Sequence, residues 1–280
     1  MTNPPQQPVP AAEPDTLSQA ECYQRLRAHL TFLKLTDAAE ALPRILDQAR
    51  DQQLSVVAAL ERLLAVECAA TEDRRLTSRL RFACLPAPWR LADFDYSAQP
   101  GLDQTLIREL ATLRFLHEGA NALFIGPPGV GKTMLAVGLA RAAAEAGHRV
   151  YFTTAADLAA RCHKAAIEGR WASMMRFYAG PRLLAVDELG YLPLAADAAA
   201  ALFQVINTRY TNRASTIITT NVGIGSWATA FGNDPIVAAA MLDRLLHRGV
   251  VVGINGPSYR LRSHQARAEA LRPATQGSPR

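Results

Sequence analysis

With 280 residues, of which 49% are hydrophobic, the chain can bury one large domain, or a medium domain with a small satellite, without disulfides. The four cysteines are widely spaced and show no metal-type pairing. The sequence has no apolar run of the roughly 18 residues that a membrane span needs, and its N-terminus lacks the pattern of a secretion signal. These features predict a soluble, cytoplasmic protein. The net charge of +5 divides into −3 over residues 1–120 and +8 over residues 121–280, which weakly favours a polyanionic partner.

The N-terminal part of the chain is predicted to be mostly helical. Residues 1–17 are Pro-rich and polar, so we expect a disordered tail there. Residues 18–85 should form a small helical region, in which Ser55 is a suitable N-cap for a long helix with repeating leucines. Residues 86–102 contain three prolines and are predicted to be a linker.

Residues 103–263 have the pattern of an α/β domain. After a helix at about 103–117, short apolar runs rich in branched residues alternate with helical stretches. Five such runs lie at residues 121–125, 149–154, 182–187, 215–220 and 250–254. Continuous apolar strands separated by helices predict a parallel sheet that is covered on both faces. Residues 264–280 are polar and basic and should form a flexible tail.

A phosphate-binding motif follows the first predicted strand. The segment GPPGVGKT matches G-x-x-x-x-G-K-[ST] directly after a strand and directly before a helix, which is the context that the motif requires. Its backbone N–H groups would face the phosphates at the helix N-terminus, Lys132 would reach the β- and γ-phosphates, and Thr133 would help to hold Mg²⁺. The predicted ATP-binding residues are Gly126, Pro127, Pro128, Gly129, Val130, Gly131, Lys132 and Thr133.

Polar residues after the later strands would complete a hydrolytic site. Asp187 would position Mg²⁺, and Glu188 would orient and deprotonate the water that attacks the γ-phosphate. Asn221 could hold that water, although an Asn at a strand end is also a common turn former. Arg244 and Arg260 either neutralise charge in the transition state or form surface ion pairs.

This order of motifs is that of an AAA+ ATPase, a P-loop NTPase with a parallel sheet between helices. The sequence resembles one family of this class, the IstB-like transposition helper ATPases of bacterial insertion sequences, which are related to the DnaC helicase loaders. The resemblance runs from about residue 25 to residue 262. It rests on the segments ERLLAVE, DFDYSAQPGLD, IRELATLRF, GPPGVGKT, FTTAADL, LLAVDELGYLPL, LFQVINTRY, TTN, DRLLH and SYRL.

The resemblance implies roles that the residues alone do not. Asp187 and Glu188 would be the Walker B pair, Asn221 the first sensor, Arg244 an arginine finger that acts across a subunit interface, and Arg260 the second sensor. It also implies a homo-oligomer that assembles with ATP, embraces double-stranded DNA without marked sequence preference, and recruits and stimulates a partner transposase. Where relatives often carry an RPF-like run after the sensor Asn, this chain has VGIGSW, which puts subunit or DNA contacts there in doubt.

A basic stretch lies between the two halves of the predicted ATP site. Residues 161–182 carry five basic side chains and one acid, Glu168. In loader-type AAA+ proteins a helical insertion at this place faces the central channel and touches nucleic acid, so the resemblance implies that the stretch binds DNA. The alternative is a solvated outer helix face. The expected DNA-binding residues are Arg161, Lys164, Arg170 and Arg176.

Three other functions stay open at this point. A replicative helicase loader would use the same ATP site for a different client. A monomeric small-molecule kinase would not need the adjacent acids at 187–188, the sensor Asn or the late Arg. A scaffold switched by ATP without hydrolysis is the third.

Overall fold

A computed structural model describes residues 18–191, 196–231 and 234–261. The chain divides into two compact units, Met1–Arg75 and Leu76–Arg280. The division falls ten residues before the predicted boundary at residue 85, within one long helix. The tails predicted for residues 1–17 and 264–280 lie outside the described residues. None of the helices in the described ranges combines the length and the apolar character that crossing a membrane requires.

The first unit is built from three helices, α1 (Gln19–Phe32), α2 (Thr36–Asp51) and the first part of α3 (Val56–Ala83). Ser18 and Glu21 form a capping box at the start of α1, which satisfies two otherwise unpaired backbone N–H groups. The start of α2 has no cap of its own. Instead, the buried carboxylate of Glu67 on α3 accepts the backbone N–H of Ala38 at 3.0 Å. Leu30, Leu42, Ile45 and Leu63 are among the residues of the apolar core.

The second unit contains a five-stranded parallel sheet in the order β2-β3-β4-β1-β5. The strands are β1 (Asn121–Ile125), β2 (Val150–Thr154), β3 (Leu183–Leu189), β4 (Ser215–Thr220) and β5 (Gly249–Gly253). The helices that follow α3 are α4 (Gln104–Ala111), α5 (Arg114–Glu118), α6 (Lys132–Glu145), α7 (Ala155–Ile167), α8 (Trp171–Ala179), α9 (Ala196–Thr211), α10 (Trp227–Ala230) and α11 (Pro235–Leu246). The predicted AAA+ fold class is confirmed: the sheet lies between two helical layers.

The strands are buried on both faces, as their continuous apolar runs predict. In β1, Phe124 belongs to the core that contains residues of α6, whereas Leu123 belongs to the core on the other face, with residues of α7, α9 and α11. This alternation follows from the two-residue period of a strand. The helix expected at 103–117 is two helices, because Leu113 between α4 and α5 takes a left-handed conformation with φ of 61°.

The segment at 86–102, predicted to be a linker, packs into the second unit. It forms two short 3₁₀ helices, Leu91–Asp93 and Tyr96–Ala98. Phe94 and Leu102 are buried in the same core as α6, and Ala98 is buried as well. Burial of these apolar side chains stabilises the segment on the domain.

Candidate active site

The phosphate loop runs from the end of β1 to the start of α6, and two of its glycines have no room for a side chain. A Cβ on Gly126 would lie 2.2 Å from the carbonyl oxygen of Ile254. Gly131 has φ of 98°, and a Cβ there would lie 2.5 Å from the ring of Phe94. The loop can therefore place its backbone N–H groups close to a phosphate at the N-terminus of α6.

Lys132 is the first residue of α6, and its ammonium lies over the loop. Its Nζ donates to the carbonyl oxygens of Gly126 and Pro127, both at 2.8 Å. Burial lowers the pKa of Lys132, and the nearby Arg260 lowers it further, while the carboxylates of Asp187 and Glu188 oppose this shift. The lysine thus lies within the electrostatic reach of the predicted acid pair and of the second-sensor arginine.

Asp187 and Thr133 meet beside the loop. The Thr133 hydroxyl lies 3.0 and 3.1 Å from the two carboxylate oxygens of Asp187, which is 5% exposed at the end of β3. A carboxylate and a hydroxyl at the N-terminus of a helix supply the oxygen ligands that Mg²⁺ prefers. These two residues therefore fit the metal that the sequence predicts, and Asp187 and Thr133 would hold it.

Glu188 lies at an irregularity of β3. The register between β3 and β4 pairs Val186 with Ile218 and resumes with Leu189 beside Thr220, so a bulge separates them. Glu188 has φ of 60° and is exposed between two buried neighbours. A bulge changes the direction of a side chain relative to a regular strand. Here the bulge leaves Glu188 exposed directly after the buried Asp187.

The other predicted catalytic residues lie at different distances from this centre. Arg260 lines the same cavity as the phosphate loop. Asn221 directly follows β4 and is exposed. Arg244, on α11, instead contacts α9 of its own chain: Nε lies 2.7 Å from Oδ1 of Asn207. The structure therefore brings Lys132, Thr133, Asp187 and Arg260 together and leaves Arg244 on a different surface.

The segment VGIGSW follows the predicted sensor Asn. It forms a 3₁₀ helix, Ile224–Ser226, and leads into α10. Trp227 and Phe231 are buried in the core, with ring centroids 5.6 Å apart. The residues that stand in place of the RPF-like run thus lie on a surface loop. The aromatic residues after them anchor that loop to the domain.

The sequence prediction missed one wall of the nucleotide cavity. A cavity of about 320 Å³ lies beside the phosphate loop, and its lining includes Trp89, Phe94 and Gln99 from the segment that was predicted to be a linker. Gln99 Nε2 donates to the carbonyl of Pro257 at 2.9 Å, and Tyr259 N donates to the carbonyl of Gly129, also at 2.9 Å. The aromatic residues of DFDYSAQPGLD were the available signal, because aromatic side chains commonly line ligand cavities.

The basic stretch forms the helical pair α7 and α8 between β2 and β3. Lys164 and Arg170 lie on either side of Glu168 at the turn between these helices; the lysine ammonium is 3.9 Å from its carboxylate, and Arg170 donates to it. Arg161 donates to the hydroxyl of Tyr151 at 2.7 Å. Arg176, on α8, donates to Ser173. The structure therefore groups Lys164 and Arg170, while Arg161 bonds towards β2.

The chain is similar in sequence to known proteins. The family model described as "IstB-like ATP binding protein" matches residues 28–267. One similar protein comes from Bacillus thuringiensis subsp. berliner and is named as an ATP-binding protein of insertion sequence IS232. The two chains are 38% identical over 242 residues, which cover 86% of this chain and 96% of that protein. This chain is 39% identical over 237 residues to the corresponding protein of insertion sequence IS21 from Pseudomonas aeruginosa, with 85% and 89% covered.

A solved structure shares the fold over part of the chain. It is that of the replication initiator DnaA bound to AMPPCP and single-stranded DNA, with a TM-score of 0.52 at 18% identity. The superposition covers 69% of this chain and 58% of that one. At this level of identity the likeness concerns the fold alone.

Proposed function

Because the chain belongs to the IstB-like ATP-binding protein family, we propose that it is an AAA+ ATPase that assembles on double-stranded DNA as a homo-oligomer and recruits or stimulates a partner transposase. The observation that carries the ATPase part is the position of Asp187, which meets Thr133 of the phosphate loop while the exposed Glu188 directly follows it in β3. A nucleotide-binding loop with an adjacent exposed carboxylate is the arrangement that ATP hydrolysis requires.

ATP would bind with its phosphates on the loop and its base in the cavity beside Trp89 and Phe94. The ammonium of Lys132, which now bonds loop carbonyls, would turn to the phosphate oxygens. Mg²⁺ held by Thr133 and Asp187 would neutralise negative charge on the β- and γ-phosphates. Lys132 and Thr133 are adjacent at the start of α6. The first turn of this helix would therefore place both the lysine ammonium and the Mg²⁺ ion at the phosphates.

Hydrolysis would then depend on four side chains. Glu188 would take the proton of the attacking water, and Asn221 would orient that water from the neighbouring strand. Arg260 would contact the nucleotide from within its own subunit, since it lines the cavity. Arg244 would reach a neighbouring subunit, which is supported by its position on α11, away from its own cavity lining.

Two observations support DNA and a transposase as partners. The basic side chains of Lys164 and Arg170 are exposed at one turn, where they would meet backbone phosphates. Both relatives described above are named for insertion sequences, which favours a transposase over a replicative helicase as the client. DNA would be bound through its charge, so we expect little sequence preference.

The test is the variant Glu188→Gln, which keeps the size of the side chain and removes the base. The parent should release phosphate from ATP, faster with duplex DNA present, and the variant should lose at least about 100-fold in that rate. Both should bind a fluorescent ATP analogue equally. A matched control is Glu109→Gln on α4, which should leave the rate unchanged. A Glu188→Gln variant with the parental rate, or a parent without hydrolysis, would contradict the proposal.

The client is tested separately by co-purification. With ATP and duplex DNA, the Glu188→Gln variant should remain assembled and retain a transposase in preference to a replicative helicase when both are offered. Retention of a replicative helicase instead would favour the loader alternative.

A further inference from the structure

One buried hydroxyl connects the two acids of the site. The hydroxyl of Thr219, on β4, donates to Oδ1 of Asp187 and accepts the backbone N–H of Glu188 at 3.1 Å. Thr219 is 2% exposed. A hydroxyl has one proton to donate, and in Thr219 this proton goes to Asp187, so the orientation of the hydroxyl is determined.

The bulge in β3 explains why a hydroxyl is needed at this position. On either side of it, Val186 pairs with Ile218 and Leu189 with Thr220, so two residues of β3 oppose Thr219 alone. A bulge leaves a backbone group of the longer strand without its partner in the sheet, and an unpaired buried N–H is destabilising. The side chain of Thr219 supplies the missing acceptor for Glu188. It also stabilises the left-handed backbone of Glu188, which is unfavourable for a residue with a side chain.

The same hydroxyl determines how the carboxylate of Asp187 is turned. Oδ1 accepts from Thr219, and both oxygens lie within hydrogen-bond distance of the Thr133 hydroxyl. With Oδ1 held from the sheet side, the plane of the carboxylate is aligned towards the first turn of α6. Partners of this kind orient a metal ligand without touching the metal.

We propose that Thr219 is a positioning residue for ATP hydrolysis, which sets the carboxylate of Asp187 for Mg²⁺ and the backbone of Glu188 for the attacking water. This inference rests on the proposed ATPase function. The side chain of Thr219 contacts both Asp187 and Glu188. The geometry of metal binding is therefore linked to the geometry of water activation.

The experiment compares Thr219→Val, which keeps the shape and removes the hydroxyl, with Thr219→Ser, which keeps the hydroxyl. Thr153→Val is the matched control, because Thr153 is a buried strand threonine whose hydroxyl donates to the carbonyl of Thr154. Two quantities are measured: the affinity for a fluorescent ATP analogue with and without Mg²⁺, and the kcat and KM of ATP hydrolysis.

Thr219→Val should bind the analogue normally without Mg²⁺, lose most of the gain in affinity that Mg²⁺ gives the parent, and lose roughly 10- to 100-fold in kcat. Thr219→Ser should recover both quantities, and Thr153→Val should retain both. A Thr219→Val variant that keeps the Mg²⁺ effect and kcat within about twofold of the parent would overturn the inference.

Three further outcomes also bear on the inference. If Thr219→Val does not fold, Thr219→Ala and Thr219→Ser are compared, since both lack the methyl group and only one has the hydroxyl; equal Mg²⁺ dependence in this pair would overturn the inference. If the parent binds ATP with Mg²⁺ but does not hydrolyse it, the ATPase proposal fails, and the Mg²⁺ dependence alone decides the role of Thr219. A parent whose affinity ignores Mg²⁺ would overturn the inference as well.

Discussion

The guanidinium of Arg244 is held by Asn207 of the same chain: Nε lies 2.7 Å from the amide oxygen, and the carbon of the guanidinium lies 4.9 Å from the ring centroid of Phe203. Nη1 also donates to the carbonyl of Ala240 on its own helix. These contacts fix the arginine on the surface formed by α9 and α11. If Arg244 acts on the nucleotide of a neighbouring subunit, these contacts would orient its guanidinium before the subunits assemble.

Arg244→Ala should therefore bind ATP normally and hydrolyse it at least about 10³-fold more slowly, because a finger supplied by a neighbour contributes mainly to the transition state. Mixing Arg244→Ala with Lys132→Ala should restore part of the rate, since one interface then pairs an intact pocket with an intact arginine. Phosphate release is measured across mixing ratios, with Arg248→Ala as control. No recovery in mixtures shown to co-assemble would indicate a role within one subunit.

Lys164→Ala combined with Arg170→Ala should weaken DNA binding about equally for all sequences. The slope of log affinity against log salt should fall by about 0.9 for each DNA phosphate that the variant no longer neutralises. The control is Arg108→Ala combined with Arg114→Ala, which removes the same charge from α4 and α5. Binding is measured with ATP present over a salt series. An unchanged slope would assign this turn to the solvated surface.

Glu168→Gln should have the opposite effect. Arg170 and Lys164 hold the pKa of this carboxyl below its usual range, with the hydrogen bond from Arg170 as the main cause, so the acid is ionised at neutral pH. Its charge offsets part of the attraction of the two cations for phosphate. The variant should therefore bind DNA more tightly than the parent in the same salt series. Weaker binding would show that Glu168 positions the cations rather than opposing them.

The cysteines should separate into two classes by reactivity. Cys22, Cys68 and Cys84 are exposed, whereas Cys162 is fully buried on α7, and burial raises the pKa of its thiol to about 11. Because the thiolate is the reactive form, Cys162 should react only after unfolding. Labelling with a thiol reagent, followed by peptide mass spectrometry with and without denaturant, checks this. Rapid labelling of Cys162 in the native protein would contradict its packing.

Arg209→Met should destabilise the second unit by about 3 kcal/mol or more, because several buried carbonyls would lose their donors. Arg209 is 0% exposed, and its guanidinium donates to the carbonyls of Tyr178, Pro181 and Ser215. It thereby joins the end of α8 to the start of β4. The measurement is urea unfolding, with the exposed Arg108→Met as control. A loss below about 0.5 kcal/mol, the range of ordinary surface substitutions, would contradict this role.

The sheet could be predicted because its strands are continuous apolar runs, and burial on both faces leaves no other arrangement for such runs between helices. The phosphate loop could be predicted because its glycines and lysine are consecutive in sequence. The role of 86–102 could not, since prolines indicate turns equally well in a linker and in a packed segment. Thr219 was missed because its role depends on a bulge in the neighbouring strand, and a register shift leaves no local sequence signal.

The arginine on α11 illustrates a second limit. The family resemblance implies a finger, but its partner Asn207 is 37 residues away and belongs to a helical segment whose own pattern indicates only packing. Contacts between side chains of two helices depend on their crossing geometry, which hydrophobic periodicity does not contain.

The hydrogen bond between Gln99 and Pro257 joins residues that are 158 positions apart. Gln99 precedes the first strand of the sheet in sequence, and Pro257 follows the last. During synthesis, the ribosome would have released the loop, β3 and β4 well before the second of these residues emerged. A nascent chain could therefore form much of its sheet while the cavity still lacked one wall. Loading with nucleotide, and any assembly that depends on it, would be confined to chains that have been translated beyond Pro257.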